Sequence, residues 1–277
     1  MKRCLTTVLV FGICSAVVRA DITFVQTTTM EGGAAAAMAP AGAIPSTKIT
    51  TRVKGLKSRT DMETSSSVTS SSIVDIAAKQ MIMLQHDTKT AQAFDGSTVA
   101  PAAAPAATLS VDATTPVPTG KSQEIDGLKC DEYTFTTTMN LSDVTGEKLP
   151  PEAAELMKGL TMAMKGSMWV AKTAPGVAEF VAYQKALAKA DLTNTVMKMT
   201  GVSVPGLDKI LKAMTSVEGL PYLTVIDMKL EGTGPMADMM RQMMDGMKIT
   251  SKLTSLSAEA IGDEAFKVPD GYTVVVK

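Results

Sequence analysis

Six methionines fall within twelve positions, 236–247 (MADMMRQMMDGM). Thioethers in that density can pack as a core face, line an adaptable hydrophobic site, or ligate a soft metal such as Cu(I). On a helix, Met236, Met239, Met240, Met243, Met244 and Met247 share an arc of about 140° at about 100° per residue. Asp238, Arg241, Gln242 and Asp245 take the other side, and Gly234-Pro235 offers a start. Thioether metal sites usually mix in His or Cys, and neither occurs in this stretch. Methionine also recurs at Met157, Met162, Met164, Met197, Met199 and Met214, as a general preference would place it. All three readings stay open on the residues alone. The first two merge where such a helix covers a sheet.

Other reactive side chains are isolated. His86 is the single histidine and sits in a turn beside Asp87. General-base work needs a nucleophile and an orienting acid at known spacing, so the spacing predicts a surface turn residue. A zinc site needs more Cys or His than the chain supplies. Cys130, on a strand, reads as a buried small hydrophobe or a reactive thiol, with an intermolecular disulfide also open. The serines at 65–67 and 70–72 lack a G-x-S-x-G elbow and read as a loop and a strand start. EGGAAAAMAP has neither the spacing nor the Lys of a phosphate loop. Trp169 is a core anchor or a stacking platform. TRVKGLKSR is a solvated cationic face or one that meets anionic lipid. No enzyme, metal or cofactor is expected.

The elements that must position these groups follow a leader. Lys2 and Arg3 precede an apolar run from Leu5 to Val18, and Val18 and Ala20 offer a cleavage site before Asp21. The pattern predicts a signal peptide over 1–20, cleavage after Ala20, and a periplasmic or secreted chain. Lipidation at Cys14 is the rival reading, and Ile13 directly before it fits poorly. Loss of Lys2, Arg3 and Arg19 leaves 24 basic residues against 28 acidic, a formal charge of −4. That balance argues against a nucleic-acid partner. No later segment is long and charge-free enough for a transmembrane anchor. Cys130 then has no internal disulfide partner, so the fold relies on an ordinary apolar core.

Two Ala/Pro-rich stretches, at about 31–46 and 96–121, read as mobile excursions from a single domain over 21–277. Between them, alternating segments such as TKITTRVKG, SSIVDIA, KQMIMLQ and KTAQAF predict short antiparallel strands in meander order. Asp126-Gly127 marks a hairpin. The period then lengthens. PPEAAELMKGLTMAMK, GVAEFVAYQKALAKA and PGLDKILKAMTSV predict helices, the first through Leu160 and Met164.

The order KITTRVKGLKSRTDM, SSIVDIAAKQMIMLQHDTKTAQAFD, IDGLKCDEYTF, GSMWVAK and FKVPDGYTVV resembles an uncharacterised bacterial family of exported domains. That family is similar in architecture to the lipoprotein carriers LolA and LolB and to mycobacterial lipid-binding lipoproteins. The resemblance implies an α+β fold: a strongly curved antiparallel sheet, a LolA-like half-barrel, with helices packed on the concave side. It implies an exported, non-enzymatic binder of a lipid or acylated protein. The hydrophobic lining expected on these grounds is Trp169, Leu160, Met164, Phe180, Leu211, Met214, Met236, Met240, Met243 and Met247. The alternatives are an envelope interaction domain with a filled core, and soft-metal binding through methionines. Oligomeric state is not legible.

Overall fold

The structure, a computed structural model, describes residues 21–33, 46–64, 67–97, 107–108, 110–141, 159–193, 196, 202–203, 205–233, 235–244 and 246–276. The expected leader and most of the first Ala/Pro-rich stretch lie outside them.

Period-2 segments become strands, as the alternation requires. The first six are β1 (Ile22–Glu31), β2 (Ser46–Lys54), β3 (Lys57–Thr64), β4 (Ser67–Asp75), β5 (Gln80–Gln85) and β6 (Thr90–Asp95). They follow one another across the sheet as a meander. Then come β7 (Ala107–Thr108), β8 (Ser110–Ala113), β9 (Val117–Ile125) and β10 (Leu128–Asn140). Asp126 and Gly127, both at positive φ, close the β9–β10 hairpin. Further on are β11 (Thr161–Ala171), β12 (Val202–Ser203), β13 (Leu220–Glu231), β14 (Lys248–Ser257) and β15 (Thr273–Val276). Thirteen strands form one open sheet in the order β15-β6-β5-β4-β3-β2-β1-β14-β13-β11-β10-β8, with β9 also on β10. β7 and β12 form a small parallel pair. Three α-helices are described: α1 (Val177–Ala190), α2 (Leu207–Ser216) and α3 (Pro235–Met244). Among the described residues no helix is long and apolar enough to cross a membrane.

Both faces of the meander are covered. Neighbouring residues on a strand point oppositely, yet Ile73 and Val74 of β4 are both buried. Val74 packs with Phe94, Leu192 and Val196 on the helical side. Ile73 packs with Leu84, Ala91 and Phe266 under the segment leading to β15. The largest apolar cluster lies beneath α1, where Ile22, Phe24, Val53, Leu220 and Leu253 meet Val177, Phe180 and Tyr183. Phe24 and Phe180 meet edge to face, with ring centroids 5.1 Å apart.

Three expectations are corrected. The fold is mostly sheet, one large open sheet, and not an α+β half-barrel with helices packed on a concave face. Its dimensions explain this. Twelve of its strands lie side by side, and at about 4.8 Å spacing they span roughly 53 Å, whereas the fourteen residues of α1 reach only about 21 Å. Secondly, the helix expected through Met164 gives way to β11 from Thr161, where Thr, Met, Ala, Met and Lys alternate. Thirdly, the Ala/Pro-rich stretch at 96–121 contains β8 and most of β9. These strands pair with β10, which supplies order that their own composition does not.

Candidate functional site

The β13–β11–β10–β8 end of the sheet carries an apolar cleft of about 330 Å³ under α2. Its floor is Phe135 and Thr137 of β10, Met168 and Val170 of β11, and Pro221, Thr224 and Ile226 of β13. These residues share a face because Phe135 pairs with Gly166, which pairs in turn with Ile226, while Met168 pairs with Thr224. Gly166 is a spatial requirement. A Cβ there would stand 2.3 Å from the Phe135 ring, so its absence lets the ring lie flat across β11.

The roof is Ile210, Ala213 and Val217, spaced i, i+3 and i+7 along one stripe of α2 and its end. Two latches hold this helix. Val111 N–H of β8 donates to Pro205 O at 2.9 Å, and Lys209 Nζ meets Asp112 Oδ1 at 2.7 Å. Gly206 begins α2 at φ +90°, against the carbonyl of Val111. Gln184 of α1 and Thr114 supply polar groups at the margin. Volume and lining match a small hydrophobic-ligand site, with few polar groups to orient the occupant. A larger depression of about 600 Å³ beside α3 has Lys165, Asp227, Lys229 and Arg241 in its walls, so the smaller cleft is the apolar one.

Eight of the ten residues expected as lining have described side chains, and these lie elsewhere. Phe180 and half-buried Trp169 belong to the cluster beneath α1. Leu160 is fully buried under α3, where Met240 packs on it. Met164 sits on β11 between Thr137 and Met228. Leu211 is half-buried on α2. Met247 lines the depression beside α3. Met243 is exposed. The side chains of Met214 and Met236 lie outside the described residues. None of the other eight lines the cleft. Sequence reasoning missed Phe135, Met168, Ala213 and Ile226. The signal for Ala213 was its spacing from Ile210 and Val217.

The methionine helix docks by the edge of its apolar arc. Ala237, Met240 and Met244 pack on Leu141, Leu160 and Leu230, while Met239 and Met243 remain 51% and 52% exposed. Dilute peroxide followed by peptide mapping should therefore find sulfoxide at Met239 and Met243 severalfold faster than at Met240 and Met244. The reverse order would mean that the helix docks by its other side. Among the described residues no group of three or more His, Cys, Asp or Glu is placed to hold a metal ion. Cys130 is fully buried. Burial first, and the charge of Asp131 second, push its thiol up, so it is a poor nucleophile.

His86 is a correction. Its turn position is as expected, but its ring joins a chain of polar side chains on the sheet face opposite the cleft. Asp61 accepts from Arg52 and, at 2.7 Å, from Arg59 Nε. Burial alone would raise the Asp61 carboxyl. Hydrogen bonds from Ser71, Arg59 and Arg52 and the charge of Arg59 outweigh it and hold the group below the usual carboxylate range. The ionised carboxylate only accepts, so Ser71 Oγ donates to Oδ1 at 2.5 Å. The Ser71 oxygen then accepts from His86 Nε2–H at 2.6 Å. On the other side of the ring, Nδ1 and the Tyr272 hydroxyl are hydrogen-bonded at 2.5 Å. Ser71 is 4% exposed and its proton is committed to Asp61, so the Ser–His contact is structural and not a nucleophile–base pair.

No protein-family model and no curated protein matches the chain.

Proposed function

We propose that the chain is an exported, non-enzymatic binding protein for a hydrophobic molecule, a lipid or the acyl chain of an acylated protein. The occupant lies in the cleft beneath α2. The observation that carries this reading is the 330 Å³ space bounded by Phe135, Met168, Val170, Ile210, Ala213 and Ile226. Enclosing an aliphatic chain there releases apolar surface from water at about 25 cal/mol per Å². With few polar groups, the cleft selects for shape and length more than for headgroup.

The test is native mass spectrometry of protein purified gently from its own envelope, together with titration of a fluorescent fatty acid. Ala213→Trp places an indole into the cleft from its roof. It should weaken fatty-acid binding about tenfold or more while leaving the fold in place, about 1.4 kcal/mol in binding. Clean apo protein from the envelope, or unchanged binding by A213W, would count against the reading.

A further inference from the structure

We propose that Arg52 and Arg59 form a binding site for a phosphate group, on the opposite face from the cleft and independent of it. Charge bookkeeping along the β2–β3 hairpin leads there. Lys48 pairs with Glu63 at 3.2 Å, Lys54 with Asp263 at 2.8 Å and Lys57 with Asp75 at 3.5 Å. Each of those cations has its own carboxylate. Arg52 and Arg59 share one, Asp61. They also stand directly opposite each other in the ladder, where like charges repel. The pair therefore keeps one uncompensated positive charge in a place where a sheet normally avoids it.

The guanidinium groups also keep donors in hand. Arg52 bonds Asp61 through Nη1, and Arg59 spends Nε on Asp61 and Nη1 on Ala265 O. Among the described residues nothing accepts from Nε or Nη2 of Arg52, or from Nη2 of Arg59. A depression of about 290 Å³ adjoins them, lined by Arg52, Arg59, Asp61 and Ala265. Its ligand must be anionic and must present oxygens to two guanidinium groups on two strands. A tetrahedral phosphate group does so, and Arg forks suit it. Its charge would complete what Asp61 leaves half done.

The sole histidine reports on the site, because Asp61 leads through Ser71 to His86. Protein labelled with ¹⁵N at His86 is titrated at pH 7.5 with inorganic phosphate, against sodium chloride at matched ionic strength. Saturable movement of the His86 ring resonances with phosphate, absent with chloride, is expected. Arg52→Gln leaves Arg59 and Asp61 as a neutral pair and should weaken the response about tenfold or more. Equal shifts in chloride, no saturable shift in phosphate, or an unaltered R52Q titration each overturn the proposal. Should R52Q fail to fold, thermal melting of the natural protein decides, since phosphate must raise Tm beyond matched chloride. Co-sedimentation with phosphatidic acid in phosphatidylcholine vesicles, against phosphatidylcholine alone, identifies the source. Phosphate-competed sedimentation indicates a lipid headgroup, and a phosphate response without sedimentation indicates a soluble phosphate. Vesicle binding that neither phosphate nor R52Q reduces overturns the site.

Discussion

Asp61→Asn should lower the unfolding free energy by about 2–3 kcal/mol at neutral pH, below the 3–5 kcal/mol of a fully buried ion pair because Arg52 is partly exposed. The substitution keeps the shape of the side chain. The amide still accepts from Ser71, but its own N–H₂ now faces the guanidinium groups, and Arg52 and Arg59 oppose each other without a carboxylate between them. For a chain of this length the loss corresponds to roughly 4–12 °C in Tm.

The acid limb of the same comparison identifies the cause. The Asp61 carboxyl is depressed in the folded protein, so its contribution is complete above the unfolded value of about 3.9 and is lost as pH falls through the lower folded value. Wild-type and D61N stabilities, measured by chemical denaturation, should therefore differ at pH 7 and converge below about pH 4. A difference that stays constant down to pH 3 would assign the effect to shape and not to charge.

Gly206→Val should cost more, about 3 kcal/mol or above, and should remove hydrophobic binding with it. A Cβ at Gly206 would stand 1.8 Å from the carbonyl oxygen of Val111, which is backbone and cannot rotate away. The φ of +90° adds strain of about 1–3 kcal/mol for a β-branched residue. The remedy open to the chain is to lift the start of α2 off β8. That breaks the bond from Val111 N–H to Pro205 O and the Lys209–Asp112 pair, and it unroofs the cleft. Gly55→Ala is the control. Gly55 also has positive φ, at +57°, but a Cβ there meets nothing within 4 Å, so only about 1 kcal/mol is expected. Equal losses for G206V and G55A in denaturation would show that the contact with β8 does not hold the helix.

Local pattern made part of this fold legible. Strands β2, β4, β5 and β6 alternate strongly enough to be read directly, Asp126-Gly127 marks its hairpin, and α1 and α2 follow their apolar stripes. The KSQEI half of β9 was legible as the arm before that turn, but its first half was not. Eight of its nine residues are exposed, so nothing in VPTGKSQEI alternates between inside and outside. Its order comes from β10. The methionine stretch misled for another reason. Periodicity gives an apolar arc but not which edge of it the sheet will meet, and the contact fell on Ala237, Met240 and Met244. The cleft depends on Phe135 lying over Gly166, a pairing that only the strand register creates. The polar chain was hidden more deeply still, since Tyr272 and His86 are 186 residues apart.

Strand β1 joins the two halves of the sheet, with β2 on one side and β14 on the other. Thr28 of β1 bonds Ser251 of β14, and 223 residues of chain separate them. As the chain emerges N-terminus first into the space where it folds, β2 reaches β1 early, whereas β14 arrives only after nearly the whole domain has entered. For that interval one side of β1 has unmatched backbone groups, ready to recruit a stray strand. The run Thr27-Thr28-Thr29 suits that wait, because hydroxyl-bearing side chains keep the waiting flank hydrated and less adhesive than valine or isoleucine would.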